Sequence, residues 1–136
     1  MPSRVIVTPA AAALTRRLRQ RHGALLFHLS GGCCEGSAPM CFRCASFRAG
    51  ARDVLLGWVE GCPFYVGAAQ FPYWANCELT LDVTTWGGDS FSLEAAEGVR
   101  FMVCSRLFTD AELDDVEAAG PPPVGPQAVE AVSYDR

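Results

Sequence analysis

Residues 78–85 read ELTLDVTT, and their alternation decides the fold class. Leu79, Leu81 and Val83 fall on one side of an extended chain, and Thr80, Asp82 and Thr84 on the other. Successive side chains of a strand point to opposite faces, so the pattern predicts a half-buried strand. Beyond it, Trp86-Gly87-Gly88-Asp89 predicts a turn. Phe91–Glu94 (FSLE) and Val99–Ser105 (VRFMVCS) predict further strands around a turn at Glu97-Gly98. Before it, Asp53–Glu60 (DVLLGWVE) and Cys62–Val66 (CPFYV) predict two strands joined at Gly61, and Ala68–Trp74 (AAQFPYW) a short helical turn limited by Pro72. Ala24–Ser30 (ALLFHLS) is an apolar run of strand length.

Helical signals bracket these strands. Thr8 is placed as an N-cap with Pro9 at the first helical position, where its missing N–H costs nothing. Ala10, Ala11, Leu14 and Leu18 share one side, Arg16, Arg17, Arg19 and Gln20 face water, and Gly23 ends the helix. Thr109 and Glu112 form a capping box for a helix over Thr109–Ala119, which Gly120-Pro121-Pro122-Pro123 stops. The expected architecture is α+β: a mostly antiparallel, β-rich domain over residues 1–119 with an N-terminal and a C-terminal helix. The Pro-, Gly- and Ala-rich residues 120–136 are expected to be a disordered tail.

Composition narrows the function. A chain of 136 residues holds one domain of ordinary size, and half its residues are apolar. A net charge of −4 argues against a general nucleic-acid binder, which carries a basic stripe. All 11 basic residues are arginine, a mark of a GC-rich genome rather than of a function. No apolar run reaches the roughly 20 residues of a membrane span, and the N-terminus lacks the apolar centre of a secretory signal. The expected compartment is a bacterial cytoplasm, where clustered cysteines serve metal binding or redox chemistry more than disulfides.

That cluster is Ser30–Cys44, SGGCCEGSAPMCFRC, with four of the seven cysteines. Gly31 and Gly32 permit left-handed backbone angles and let backbone N–H groups approach a ligand. Cys33, Cys34, Cys41 and Cys44 supply thiolates suited to zinc, iron or an iron–sulfur cluster, and Cys41-x-x-Cys44 has the spacing for two sulfurs on one metal. His28, near the end of the strand that feeds the loop, is a candidate nitrogen ligand, or a base that activates a thiol. Against this stands the reading of each cysteine as a small buried hydrophobe, which fits Cys62, Cys77 and Cys104 best. The sequence has no nucleophile elbow, P-loop or dinucleotide fingerprint.

HGALLFHLSGGCCEGSAPMC, DVLLGWVEGCPFYVGAAQFPYW and FSLEAAEGVRFMVCSRLF together resemble the bacterial family catalogued as domain of unknown function 779, over roughly Val5–Glu112. The resemblance marks Cys33, Cys34 and Cys41 as characteristic positions and Cys44, Cys77 and Cys104 as extras of this chain. Members of that family are often encoded near aldehyde dehydrogenases, which implies a role around alcohol or aldehyde oxidation, with such an enzyme as partner. More distantly, VTPAAAALTRRLRQ and LSGGCCEG are similar to the opening helix and first-cysteine segment of the HesB-like, A-type iron–sulfur carriers. That likeness matches Cys33 to their first cluster ligand. Their closing C-x-C pair has no counterpart here, since only Cys104 falls in that region.

The expectation is a small cytoplasmic metal-binding accessory protein, with zinc, iron or an iron–sulfur cluster held by Cys33, Cys34 and Cys41 and completed by His28 or Cys44. Its rivals are a thiol- or metal-dependent enzyme acting on an aldehyde-derived small molecule, and a metal-free partner of a dehydrogenase. Assembly into a homo-oligomer is left open by the sequence.

Overall fold

The computed structural model describes residues 3–29, 37–45, 49–85 and 92–125. Among them the elements run β1 (Val5–Val7), α1 (Pro9–His22), β2 (Leu25–Leu29), β3 (Met40–Arg43), β4 (Val54–Val59), β5 (Cys62–Val66) and α2 (Phe71–Trp74). They continue with β6 (Cys77–Thr85), a 3-10 helix (Leu93–Glu97), β7 (Val99–Leu107) and α3 (Asp110–Ala119). The class is α+β, as expected.

Both long helices begin where their caps place them. The Thr8 hydroxyl accepts the Ala11 N–H at 3.2 Å, and the reciprocal Thr109–Glu112 bonds of the capping box are both formed. Gly23, at φ 85°, closes α1 with its N–H on the Arg19 carbonyl. The buried stripe of α1 is Ala11, Ala12, Leu14, Thr15 and Leu18, whereas Ala10 is exposed. Thr15 can enter the stripe because its hydroxyl donates to the Ala11 carbonyl at 2.7 Å and brings no unpaired polar atom inward. The arginine face does more than meet water. Arg16 pairs with Glu60 at 2.8 Å, and Arg17 with Glu97 at 3.2 Å.

Two mixed sheets result, in the orders β1-β6-β7 and β3-β2-β5-β4. The pairs β6/β7, β2/β3 and β4/β5 are antiparallel, and β1/β6 and β2/β5 are parallel. The strand at 78–85 pairs along its whole length with β7, from Cys77 opposite Leu107 to Thr85 opposite Val99. Leu79 and Leu81 are fully buried, as the alternation requires. One core cluster draws on both sheets, α1 and α2. Phe27 of β2 lies at its centre, stacked on Phe64 at 5.9 Å and edge-on to Phe101 of β7 at 5.0 Å. At Gly57 a Cβ would meet Val5 Cγ1 at 2.9 Å, so β1 and β4 approach closely only because that residue is glycine.

Several expectations change. β1 and β3 are strands that the sequence did not announce; at three and four residues they are too short to display a period. Phe91–Glu94 was expected to be a strand, but Leu93–Glu97 is a 3-10 helix closed by Gly98 at φ 76°. The reason is Glu94, which turns inward and is 1 % exposed. It accepts the Phe101 N–H at 3.0 Å and the Ser92 hydroxyl, while Ser92 Oγ in turn accepts the Cys41 N–H at 2.8 Å. The carboxylate thus ties β3, the 3-10 helix and β7 together, and burial raises its pKa above the ordinary 4.5.

The tail departs from expectation at its start. Residues up to Gly125 lie against β4, where the Leu55 N–H donates to the Pro123 carbonyl at 2.9 Å and the Gly125 N–H to the Asp53 carbonyl at 2.8 Å. Among the described residues no helix is long and apolar enough to cross a membrane.

Candidate functional site

All five residues of β2, LLFHL, are buried. Leu25, Phe27 and Leu29 point into the main core, so Leu26 and His28 point the other way. On that second face Leu26 packs with Ala49, Leu55 and Tyr65, with Phe42 and Trp58 at the margin. His28 lies opposite Met40 of β3 and Tyr65 of β5.

His28 is 7 % exposed, and its Nε2 is 2.9 Å from Asp53 Oδ2. The same carboxylate oxygen accepts the Gly50 N–H at 2.7 Å, which fixes its direction. The carboxylate at Nε2 fixes the orientation of the imidazole ring on this face of the sheet. Tyr65 donates from its hydroxyl to the Gly125 carbonyl at 3.0 Å. Burial, reinforced by the Asp53 charge, pushes its pKa up to about 12, so it stays a neutral donor.

Of the four clustered thiols, those of Cys41 and Cys44 are described, and they stand in different settings. Cys41 sits opposite Phe27 and belongs to the main core, fully buried. His28 therefore projects from one face of the sheet and Cys41 from the other. Burial, and next the Glu94 charge, raise the Cys41 thiol far above its ordinary value, which suits a packed hydrophobe. Cys44 is exposed, and its N–H donates to the Ala24 carbonyl. Ala24 is four residues from His28, about 13 Å along an extended chain. Among the described residues, Cys41, Cys44 and His28 do not form a group with the arrangement of a metal site. Cys41 lies in β3, and Cys44 in the turn that follows it.

Gly31, Gly32, Cys33 and Cys34 lie outside the described residues, as does the turn at 86–89. Among the described residues no group of three or more His, Cys, Asp or Glu side chains has the arrangement of a metal site. The remaining cysteines follow the bland reading in part. Cys62 is 1 % exposed, with its pKa raised by burial to about 11. Cys77 and Cys104 are half-buried. Asp53 is the functional candidate that sequence reasoning missed. It is 25 residues from His28 and reads locally as the start of a strand.

The family model described as Domain of unknown function (DUF779) matches residues 14–107, well over half the chain. The chain belongs to the DUF779 family. The DUF779 region takes in β2, β3 and β4, and so both His28 and Asp53. It leaves out β1 and α3. No curated protein and no solved structure matches the chain.

Proposed function

We propose that this DUF779 protein is a small metal-binding accessory protein of the bacterial cytoplasm, holding zinc or iron through His28 and the thiolates of Cys33 and Cys34. The observation that carries the reading is the His28–Asp53 pair, with a buried imidazole and with Asp53 itself fixed by the Gly50 N–H. A carboxylate that accepts one imidazole proton and so orients the other nitrogen is the common support of a metal-binding histidine. Cys33 is five residues beyond His28 in the chain, past two glycines. Cys41 and Cys44 are left out of the proposed set for the reasons of geometry given above. An iron–sulfur cluster is the alternative cargo, by the likeness of LSGGCCEG to the A-type carriers. An aldehyde dehydrogenase is the proposed partner, by the family's gene neighbourhood.

The test is metal analysis of untagged protein isolated without air, with a visible spectrum. Bound zinc or iron is expected, lost in His28→Ala and Cys33→Ser and retained in Cys41→Ser. Because thiolates must be deprotonated to ligate, the metal is expected to leave as the pH is lowered. Metal-free protein whose stability does not respond to added zinc or iron would overturn the reading.

The same pair also favours a second reading, a thiol-dependent enzyme acting on an aldehyde-derived molecule. There Cys33 or Cys34 is the nucleophile, His28 its base and Asp53 the group that orients the base. A single thiol alkylated fast at neutral pH, and slowed by Asp53→Asn, distinguishes it. Uniformly slow labelling counts against it.

A further inference from the structure

Arg4 precedes β1, and its backbone is pinned in place. The Leu79 N–H donates to the Arg4 carbonyl at 2.8 Å. Its guanidinium, however, is under-used. Nη1 donates to the Ala75 carbonyl at 2.8 Å, and the group lies over the Phe71 ring, 5.4 Å from its centroid. A guanidinium has five N–H donors. Among the described residues no carboxylate stands within ion-pair distance of this one, in contrast to Arg16, Arg17, Arg21 and Arg106. Burial lowers the Arg4 pKa, and no neighbouring charge offsets that. A half-buried cation that meets only a carbonyl and a ring retains most of its capacity to bind an anion.

Arg4 also borders two cavities, of about 500 and 250 Å³, both lined by the Gly120–Pro122 segment. The larger is lined by Leu56, Gly57 and Trp58 of β4 together with Val116 and Pro121. Its volume is that of a small-molecule site, and its walls are apolar with one charged group, the usual constitution of such sites. Glu117 borders the smaller cavity but is exposed.

We propose that this cleft binds a small organic monocarboxylate with an apolar body. The carboxylate pairs with the Arg4 guanidinium, which lies beside Phe71 and Ala75 of the smaller cavity, and the apolar part reaches across Val116 and Pro121, which line both cavities, toward Trp58. None of the cleft's residues belongs to the His28–Asp53 pair, so the inference stands apart from the proposed metal site.

The test is a two-dimensional amide NMR titration of the full chain with phenylacetate, its neutral isostere phenylacetamide, and inorganic phosphate. Saturable shifts are expected with phenylacetate at the amides of Val5, Gly57, Trp58 and Gly120. Phenylacetamide is expected to bind about tenfold or more weakly, the factor lost with a charge-assisted hydrogen bond. Arg4→Gln should lose a similar factor. Ala119→Phe, which keeps Arg4 but fills the cleft from the end of α3, should lose binding too, and it carries the test if Arg4→Gln does not fold. Three results overturn the inference: no saturable shift with phenylacetate at millimolar concentration, equal binding of acid and amide, or phosphate binding as tightly as phenylacetate.

Discussion

The two faces of β2 are both buried, yet they hold different chemistry. One presents Leu25, Phe27 and Leu29 to a dry core shared by both sheets, and Cys41 joins it from the neighbouring strand. The other presents Leu26 beside His28, Asp53 and the Tyr65 hydroxyl. The difference shows that burial by itself does not distinguish a structural residue from a functional one. Cys41 and His28 are both nearly inaccessible. What separates them is partners: an apolar wall for the thiol, a directed carboxylate for the imidazole.

The largest effect is expected at the apolar face. Phe27→Ala removes the ring that bridges the two sheets, and a loss of about 3–5 kcal/mol is expected in chemical denaturation. A loss under about 1 kcal/mol would mean that the sheets are not packed through it. Next comes Cys41→Ser, which sets a hydroxyl among hydrocarbon. A destabilisation of about 1–3 kcal/mol is expected, with Cys41→Ala milder and metal content unchanged in both. Loss of metal in Cys41→Ser at full stability would move Cys41 to the functional face of the argument.

On the polar face, Asp53→Asn keeps the shape but removes the charge that holds His28. A cost of about 1–2 kcal/mol is expected, together with a change in the imidazole tautomer signals read by nitrogen NMR.

The smallest effect concerns Glu94, the fully buried acid. Glu94 has hydroxyl and amide partners where Asp53 has an imidazole. Its folded pKa is raised above the ordinary 4.5, so above that pH the folded state holds more protons than the unfolded one. Its contribution to stability is therefore present at low pH and is lost as pH rises through the folded value. Glu94→Gln should flatten the fall of stability with pH above 4.5, measured by denaturation across a pH series. An unchanged slope would show that the acid is not buried as described.

Much of this was legible in the chain. The caps at Thr8 and Thr109, the stop at Gly23 and the strands around 54–59, 62–66 and 77–85 follow from local rules that the sequence displays directly. His28 was identified as a candidate from its place before the glycine pair. Its partner was not, because Asp53 reaches it only through the arrangement of β2, β5 and β4 in one sheet. The 3-10 helix escaped for a related reason, since an inward-turned glutamate leaves no periodic mark.

Local chemistry, then, was determined by the sequence itself: where helices begin and end, which strands alternate, and which segment is rich in thiols. Tertiary structure alone decided which side chains meet. A strand's register fixes the face of every residue on it, and register is set by pairing with chain far away. That is why Cys41, a neighbour of His28 in the paired strands, projects from the opposite face of the sheet, while Asp53, 25 residues from His28 in the chain, holds it.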